Sequence, residues 1–163
     1  MKAREVRLRS RPTGLPAAED FEIATVELKA PGAGEVLVRN IWMSVDPYMR
    51  GRMYDRPSYV PPFQIGEVEQ SNDPSLKPGD LVESMNGWRD AFVGYGGAVQ
   101  KLPQENVPPQ AYLGVLGMPG LTAYSGLARI GEPKAGETIF VSGAAGAVGA
   151  IVCQIAKLRG CKV

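Results

Sequence analysis

The sequence predicts a mixed α and β chain: a region of short strands forming a small barrel or sandwich, then a strand–loop–helix unit. Three observations predict it. Short alternating apolar and polar runs recur through the first two-thirds, separated by turn residues. The 163 residues include 20 glycines and 14 prolines with no periodic repeat, a composition suited to many strands joined by turns. Near Pro108 the character changes, and a continuous apolar run leads through a glycine-rich loop into an amphipathic stretch.

Taken in order, the alternation of Val6 and Leu8 against Arg7 and Arg9 reads as a strand with one wet face, in preference to a basic nucleic-acid arm. Residues 22–26 and 36–41 are short alternating strands, bounded by Ala30-Pro31-Gly32 and Gly34. The string Pro47-Tyr48-Met49-Arg50-Gly51-Arg52-Met53 breaks the alternation, and Pro57, Pro61 and Pro62 keep the next stretch extended and irregular. Lys77-Pro78-Gly79-Asp80 is a turn, and strands follow at 81–85, 91–93 and 98–102.

Beyond Pro108, a helix is expected over 121–129, with Thr122 near its start and Gly131 and Pro133 at its end. Thr138-Ile139-Phe140-Val141 is continuously apolar, as in a strand buried on both faces. After the loop, Val148, Ile151, Val152 and Ile155 follow the i, i+3, i+4, i+7 rule of an amphipathic helix. Gly160 stands where a C-terminal cap glycine belongs, and Cys161-Lys162-Val163 opens a further strand.

Composition removes several kinds of chemistry. Eighteen basic and seventeen acidic side chains leave a formal charge of +1, without the basic surplus of a nucleic-acid binder. The chain has no histidine, so Ser-His-Asp triads, Cys-His pairs and HExxH zinc sites are excluded within it. Cys153 and Cys161 lack CxxC spacing, and two cysteines make no secreted disulfide framework, so no metal site and a reducing cytoplasm are expected. Cys153 falls on the apolar side of its helix, as a packed thiol. No apolar run reaches the ~18 residues of a membrane span, and the N-terminus has no apolar core of a signal peptide.

The segment Ser142-Gly143-Ala144-Ala145-Gly146-Ala147-Val148-Gly149 holds the clearest chemistry. A dinucleotide pyrophosphate needs backbone N–H groups to approach it closely. Small residues allow that approach, and a helix N-terminus adds partial positive charge. Gly146 removes a Cβ that would meet the pyrophosphate, and Gly149 lets the helix pack tightly on the preceding strand. Ala144 stands at the first glycine of GxGxxG, so the pattern is AxGxxG. No GK[ST] follows, which excludes a P-loop. Tight helix–strand packing alone is the other explanation of these glycines.

Two longer strings, Val45-Asp46-Pro47-Tyr48-Met49-Arg50-Gly51-Arg52-Met53 and Leu116-Gly117-Met118-Pro119-Gly120-Leu121-Thr122-Ala123-Tyr124, are more specific. With 143–149 and Gln154-Ile155-Ala156-Lys157-Leu158, they resemble the zinc-independent medium-chain dehydrogenase/reductases. Within that family the resemblance is to the prostaglandin reductases, leukotriene 12-hydroxydehydrogenases and NADP-dependent alkenal reductases. It implies a GroES-like β-barrel domain over residues 1–112. Residues 113–163 would be a linker helix and the first β-α unit of a truncated Rossmann domain. It also implies NADPH as cofactor, a homo-oligomer, and hydride transfer to the β-carbon of an α,β-unsaturated ketone or aldehyde.

The resemblance further implies that Ala144, Ala145, Gly146, Ala147, Val148 and Gly149 meet the pyrophosphate, with Met118 and Thr122 near the nicotinamide. Tyr48 would be the catalytic hydrogen-bond donor, or else an amphipathic tyrosine at a domain edge. Met118 fits equally as a core residue. Arg50 and Arg52 would steer cofactor phosphates or be solvated loop arginines. Relatives in this family carry a glycine-rich strand between an Ile-Gly-Glu segment and a Ser-Asn-Asp-Pro turn. Ile65-Gly66-Glu67-Val68 runs almost directly into that turn, so the strand is expected to be deleted. Only fourteen residues follow Gly149, too few to include the usual ribose-reading position, which lies about 20 residues past the loop. A non-catalytic binding or dimerising module and an inactive truncated product are the alternatives to a reductase.

Overall fold

The computed structural model describes residues 1–55, 63–103 and 106–163. Pro57, Pro61 and Pro62, and the irregular stretch expected around them, lie outside those residues. The chain has a mixed α and β architecture in two compact units, Met1–Asn106 and Val107–Val163. Among the described residues no helix is long and apolar enough to cross a membrane.

In the first unit, strands β1 (Lys2–Leu8) and β2 (Phe21–Glu27) pair antiparallel, with Val6 opposite Ile23 and Leu8 opposite Phe21. Strands β3 (Glu35–Met43), β4 (Gln64–Ser71), β5 (Leu81–Ser84), β6 (Ala91–Tyr95) and β7 (Gln100–Lys101) form an antiparallel sheet in the order β6-β3-β4-β5-β7. Each expected strand of this unit is present, but 98–102 shrinks to two residues because Gly96–Ala98 curls into a 3₁₀ turn. Val36 and Val38, two apart on one face of β3, join Val68, Leu76, Val82 and Phe92 in the core. Each such side chain stabilises by about 1.5–3 kcal/mol when fully removed from water.

The Ile65–Val68 run lies in β4, which continues to Ser71. It pairs with β3 on one side and β5 on the other, and its register against β3 shifts at Leu37/Val38 and at Asn40/Trp42. Its glycine is a packing requirement. A Cβ at Gly66 would lie 2.5 Å from Val38 Cγ1 and 2.8 Å from the Arg39 carbonyl oxygen.

A second difference is helix α1 (Tyr48–Asp55), which the alternation pattern did not foretell. Asp46 and Pro47 offer their carbonyls to the Met49 and Arg50 amides, which starts the first turn. Met49 and Met53, four apart and so on one face, are buried against Leu8, Phe21, Tyr48 and Trp88. Phe21 and Trp88 meet at 6.1 Å between ring centroids, so the short helix is held by β1 and β2 as much as by its own bonds.

The Lys77-Pro78-Gly79-Asp80 turn forms as expected, with the Asp80 amide bonded to the Lys77 carbonyl. Asp80 is fully buried. Its Oδ2 accepts from the Lys77 amide at 2.9 Å and from Lys101 Nζ at 2.6 Å. The Lys101 hydrogen bond chiefly, and the Lys77 amide next, hold its carboxyl below the usual carboxylate range.

The second unit contains helices α2 (Met118–Ser125) and α3 (Ala147–Leu158). Helix α2 begins three residues before the expected start, because Pro119 sits in the first turn, where its missing N–H removes no helical bond. It runs on through a π-helical stretch, Gly126–Gly131, and stops at Glu132 in the left-handed region. Thr122 consequently lies a full turn inside the helix. Helix α3 ends in a left-handed Gly160 (φ +80°). The Gly160 amide bonds to the Lys157 carbonyl and the Cys161 amide to that of Ala156, the Schellman arrangement.

Residues 138–141 depart furthest from expectation. Only Thr138 makes a bridge, parallel to Lys162, and Phe140 is 92% exposed. Lys162 bonds to the residues on either side of Thr138 in the parallel pattern: its amide donates to the Glu137 carbonyl, and the Ile139 amide donates to its carbonyl, each at 2.8 Å. A parallel strand is stabilised by neighbours on both sides, and within the described residues Lys162 is its single partner. The unit's core is correspondingly small: Leu127, Ala156 and Cys161, with Ile139, Val152 and Ile155 packed on them.

Candidate functional site

The expected site residues fall in both units. In the first, Tyr48 opens α1 just after the Val45-Asp46-Pro47 corner. It is half-buried, with its ring edge-on to Phe63 at 6.4 Å and an interplanar angle of 80°. The Arg52 guanidinium, one helical turn on, lies 5.5 Å from the ring centroid. Burial is the main cause that raises the phenol above its ordinary pKa. The Asp46 charge adds to this, and Arg52 acts in the opposite direction. Tyr48 is thus kept as a neutral hydrogen-bond donor through neutral pH.

The surroundings of Tyr48 are fixed by residues that the sequence did not single out. Ser44 Oγ donates to Asp46 Oδ2 at 2.5 Å and accepts from the Phe63 amide at 3.1 Å. The Ser44 amide in turn donates to the Phe63 carbonyl at 2.8 Å. One serine therefore ties the acidic neighbour of Tyr48 to the aromatic residue against its ring. The Ser44-Val45-Asp46 spacing before a turn is a local signal for such a bond. Nothing in the sequence pointed to Phe63. Arg50, the other candidate for steering phosphates, instead sends its guanidinium to the Gly14 carbonyl.

In the second unit the loop 143–149 folds back on itself. Gly143 is left-handed (φ +65°), its carbonyl accepts from the Gly146 amide at 2.9 Å, and Gly146 is the N-cap of α3. A Cβ at Gly149 would stand 2.3 Å from the Gly143 carbonyl oxygen, so glycine is required there. The close neighbour is the loop itself and not the preceding strand, which corrects the packing role expected for Gly149. The first-turn amides of Ala147, Val148 and Gly149 have no acceptor within the helix, and no acidic side chain occupies that turn. Residues 142–148 are exposed. This is a backbone cradle of the kind an anionic pyrophosphate fits, built from neutral small residues at the positive end of a twelve-residue helix.

Met118 and Thr122 share one stripe of α2, four residues apart, and both are exposed. The Thr122 hydroxyl donates to the Met118 carbonyl at 2.7 Å, a bond that leaves its oxygen able to accept. The core position that Met118 would equally suit is not the one it takes. Alongside, Val115, Leu121 and Tyr124 face Ile151, Ile155 and Leu158 across an apolar groove of about 710 Å³ between α2 and α3.

Residues 4–102 match the model of the N-terminal domain of oxidoreductase. The chain is 48% identical over 165 residues to the NADPH-dependent curcumin reductase of Escherichia coli (strain K12), covering 96% of this chain and 48% of that protein. It is 42% identical over 174 residues to the NADP(+)-dependent 2-alkenal reductase of Nicotiana tabacum, covering 98% and 51%. Among solved structures, CurA from Vibrio vulnificus in complex with NADPH superposes with a TM-score of 0.86 at 41% identity, covering 97% of this chain and 50% of that one. The chain spans about half the length of the curated relatives it matches.

Proposed function

The chain belongs to the zinc-independent medium-chain dehydrogenase/reductases, matching the N-terminal portion of those chains, and on that premise we propose that it serves NADPH-dependent reduction of the carbon–carbon double bond of α,β-unsaturated ketones or aldehydes. In this reading residues 1–112 are the GroES-like catalytic domain, and 113–163 are the start of the Rossmann domain.

The observation that carries the proposal is the loop 143–149, whose fold admits only glycine at position 149 and leaves three helix amides for an anion. Ala144, Ala145, Gly146, Ala147, Val148 and Gly149 hold the pyrophosphate through backbone contacts. Met118 and Thr122 contact the nicotinamide end. NADPH bound there supplies a hydride for the β-carbon of the substrate.

As negative charge develops on the substrate's carbonyl oxygen, the Tyr48 hydroxyl donates a hydrogen bond to it. The raised phenol pKa suits this role, because the group keeps its proton while stabilising the enolate. Phe63 and the Met49–Met53 cluster hold the ring and keep its body out of water.

The test is a fluorescence titration of the purified chain with NADPH, followed by addition of a simple enone while absorbance of the reduced cofactor is monitored. Saturable binding with enone-dependent loss of absorbance is expected. No binding would overturn the claim that this chain is a reductase by itself. Binding without turnover would instead favour a non-catalytic module, the reading suggested by the exposed apolar side chains Leu121, Tyr124 and Leu158.

A further inference from the structure

Tyr48 and Arg52 are i and i+4 on α1, so both rise from one stripe of the helix, while Met49 and Met53 occupy the buried stripe beside it. The guanidinium lies within cation–π range of the phenol ring, and Phe63 closes on the same ring edge-on. Among the described residues Arg52 forms no salt bridge, in contrast to Arg4, Arg7, Arg39 and Arg89. Its guanidinium lies instead over the Tyr48 ring.

We propose that Arg52 is a positioning residue for Tyr48: its guanidinium clamps the ring against Phe63 and strengthens the phenol O–H as a donor to a substrate oxygen. The clamp follows from α1 geometry alone, whereas its use toward a substrate rests on the reductase reading above.

Among the described residues the ionised groups acting on the phenol are Asp46 and Arg52, and they pull in opposite directions. Asp46 is held in place by Ser44, which also holds the backbone of Phe63. A cation on the ring draws electron density from the oxygen, so the hydroxyl becomes a better donor while still protonated. Arginine suits the position because its planar guanidinium stacks on an aromatic face as an ammonium does not.

The experiment is an ultraviolet titration of the phenolate in the wild type and in Arg52→Met, Arg52→Gln and Arg52→Lys. Each variant is read against its own Tyr48→Phe counterpart, which isolates Tyr48 from the other five of the chain's six tyrosines. Arg52→Met and Arg52→Gln should titrate at higher pH than the wild type, with Arg52→Lys between them and the wild type. Where turnover is observed, the two neutral variants should lose about two- to fivefold in kcat with KM unchanged.

A neutral variant that folds and titrates together with the wild type would overturn the proposal. An absence of turnover in every protein would sink the reductase reading. The displaced titration would then still establish the clamp.

Discussion

Lys101 Nζ donates to Asp80 Oδ2 across 2.6 Å, tying the short edge strand β7 to the turn that launches β5. The carboxylate is fully buried while the ammonium side chain is 43% exposed, so the pair is half in water. Because Asp80 has a folded pKa below its unfolded one, it stabilises the fold above about pH 4, and this contribution fades as pH falls through the folded value. Asp80→Asn should therefore lose on the order of 1–2 kcal/mol at neutral pH. Thermal melts followed by circular dichroism at neutral and acid pH check this. The gap between variant and wild type should narrow in acid, and a gap independent of pH would refute the assignment.

Substituting Gly149 tests the cradle. Alanine there would collide with the Gly143 carbonyl, and relief by shifting the loop costs about 1–3 kcal/mol. By that same strain, Gly149→Ala should raise the NADPH Kd by about tenfold or more in a fluorescence titration. Hydrogen exchange should show faster opening of α3 and unchanged protection in β3 and β4.

Tyr48→Phe keeps the ring and its contact with Phe63 but removes the donor. In a chain that turns over, kcat should fall on the order of 100-fold, as for loss of a donor to a developing oxyanion, while NADPH affinity stays the same. Since burial raises the phenol's pKa, the wild-type rate should show no loss from tyrosine ionisation below about pH 10. A decline at lower pH, absent from the Phe variant, would contradict the role given to Tyr48.

The second unit leaves Phe140 and Leu158 92% and 87% exposed, so the chain should self-associate in a concentration-dependent manner. Phe140→Ser combined with Leu158→Lys should lower the average sedimentation coefficient at high concentration. The lysine suits the C-terminal end of α3, so helix content should be retained. Unaltered sedimentation would show that these side chains do not drive association.

Where the fold was legible, the governing interactions are local. Val6, Leu8 and the 22–26 and 36–41 runs alternate, and they form β1, β2 and β3. Helix α3 was readable from Val148, Ile151, Val152 and Ile155, and its end from Gly160. Helix α1 was not, because its buried stripe is only Met49 and Met53, and Gly51 interrupts the helical propensity. The apolar run at 138–141 reads as a buried strand in any sequence, but burial depends on neighbours that periodicity cannot supply. At the site, Tyr48 and the glycine loop stood out by residue type. The Gly143 carbonyl that makes Gly149 obligatory depends on one backbone dihedral, and Phe63 reaches Tyr48 through a serine nineteen residues earlier.

The Schellman turn after α3 has a practical consequence. It folds Cys161 under the helix, where the thiol is buried and donates to the Lys134 carbonyl at 3.4 Å, whereas Cys153 is half-exposed. Both of the chain's cysteines lie in the second unit. A thiol reagent thus finds a fast and a slow target in that unit and none in the first. The slow phase clocks the rate at which the α3 unit opens, with no label introduced and no substitution made.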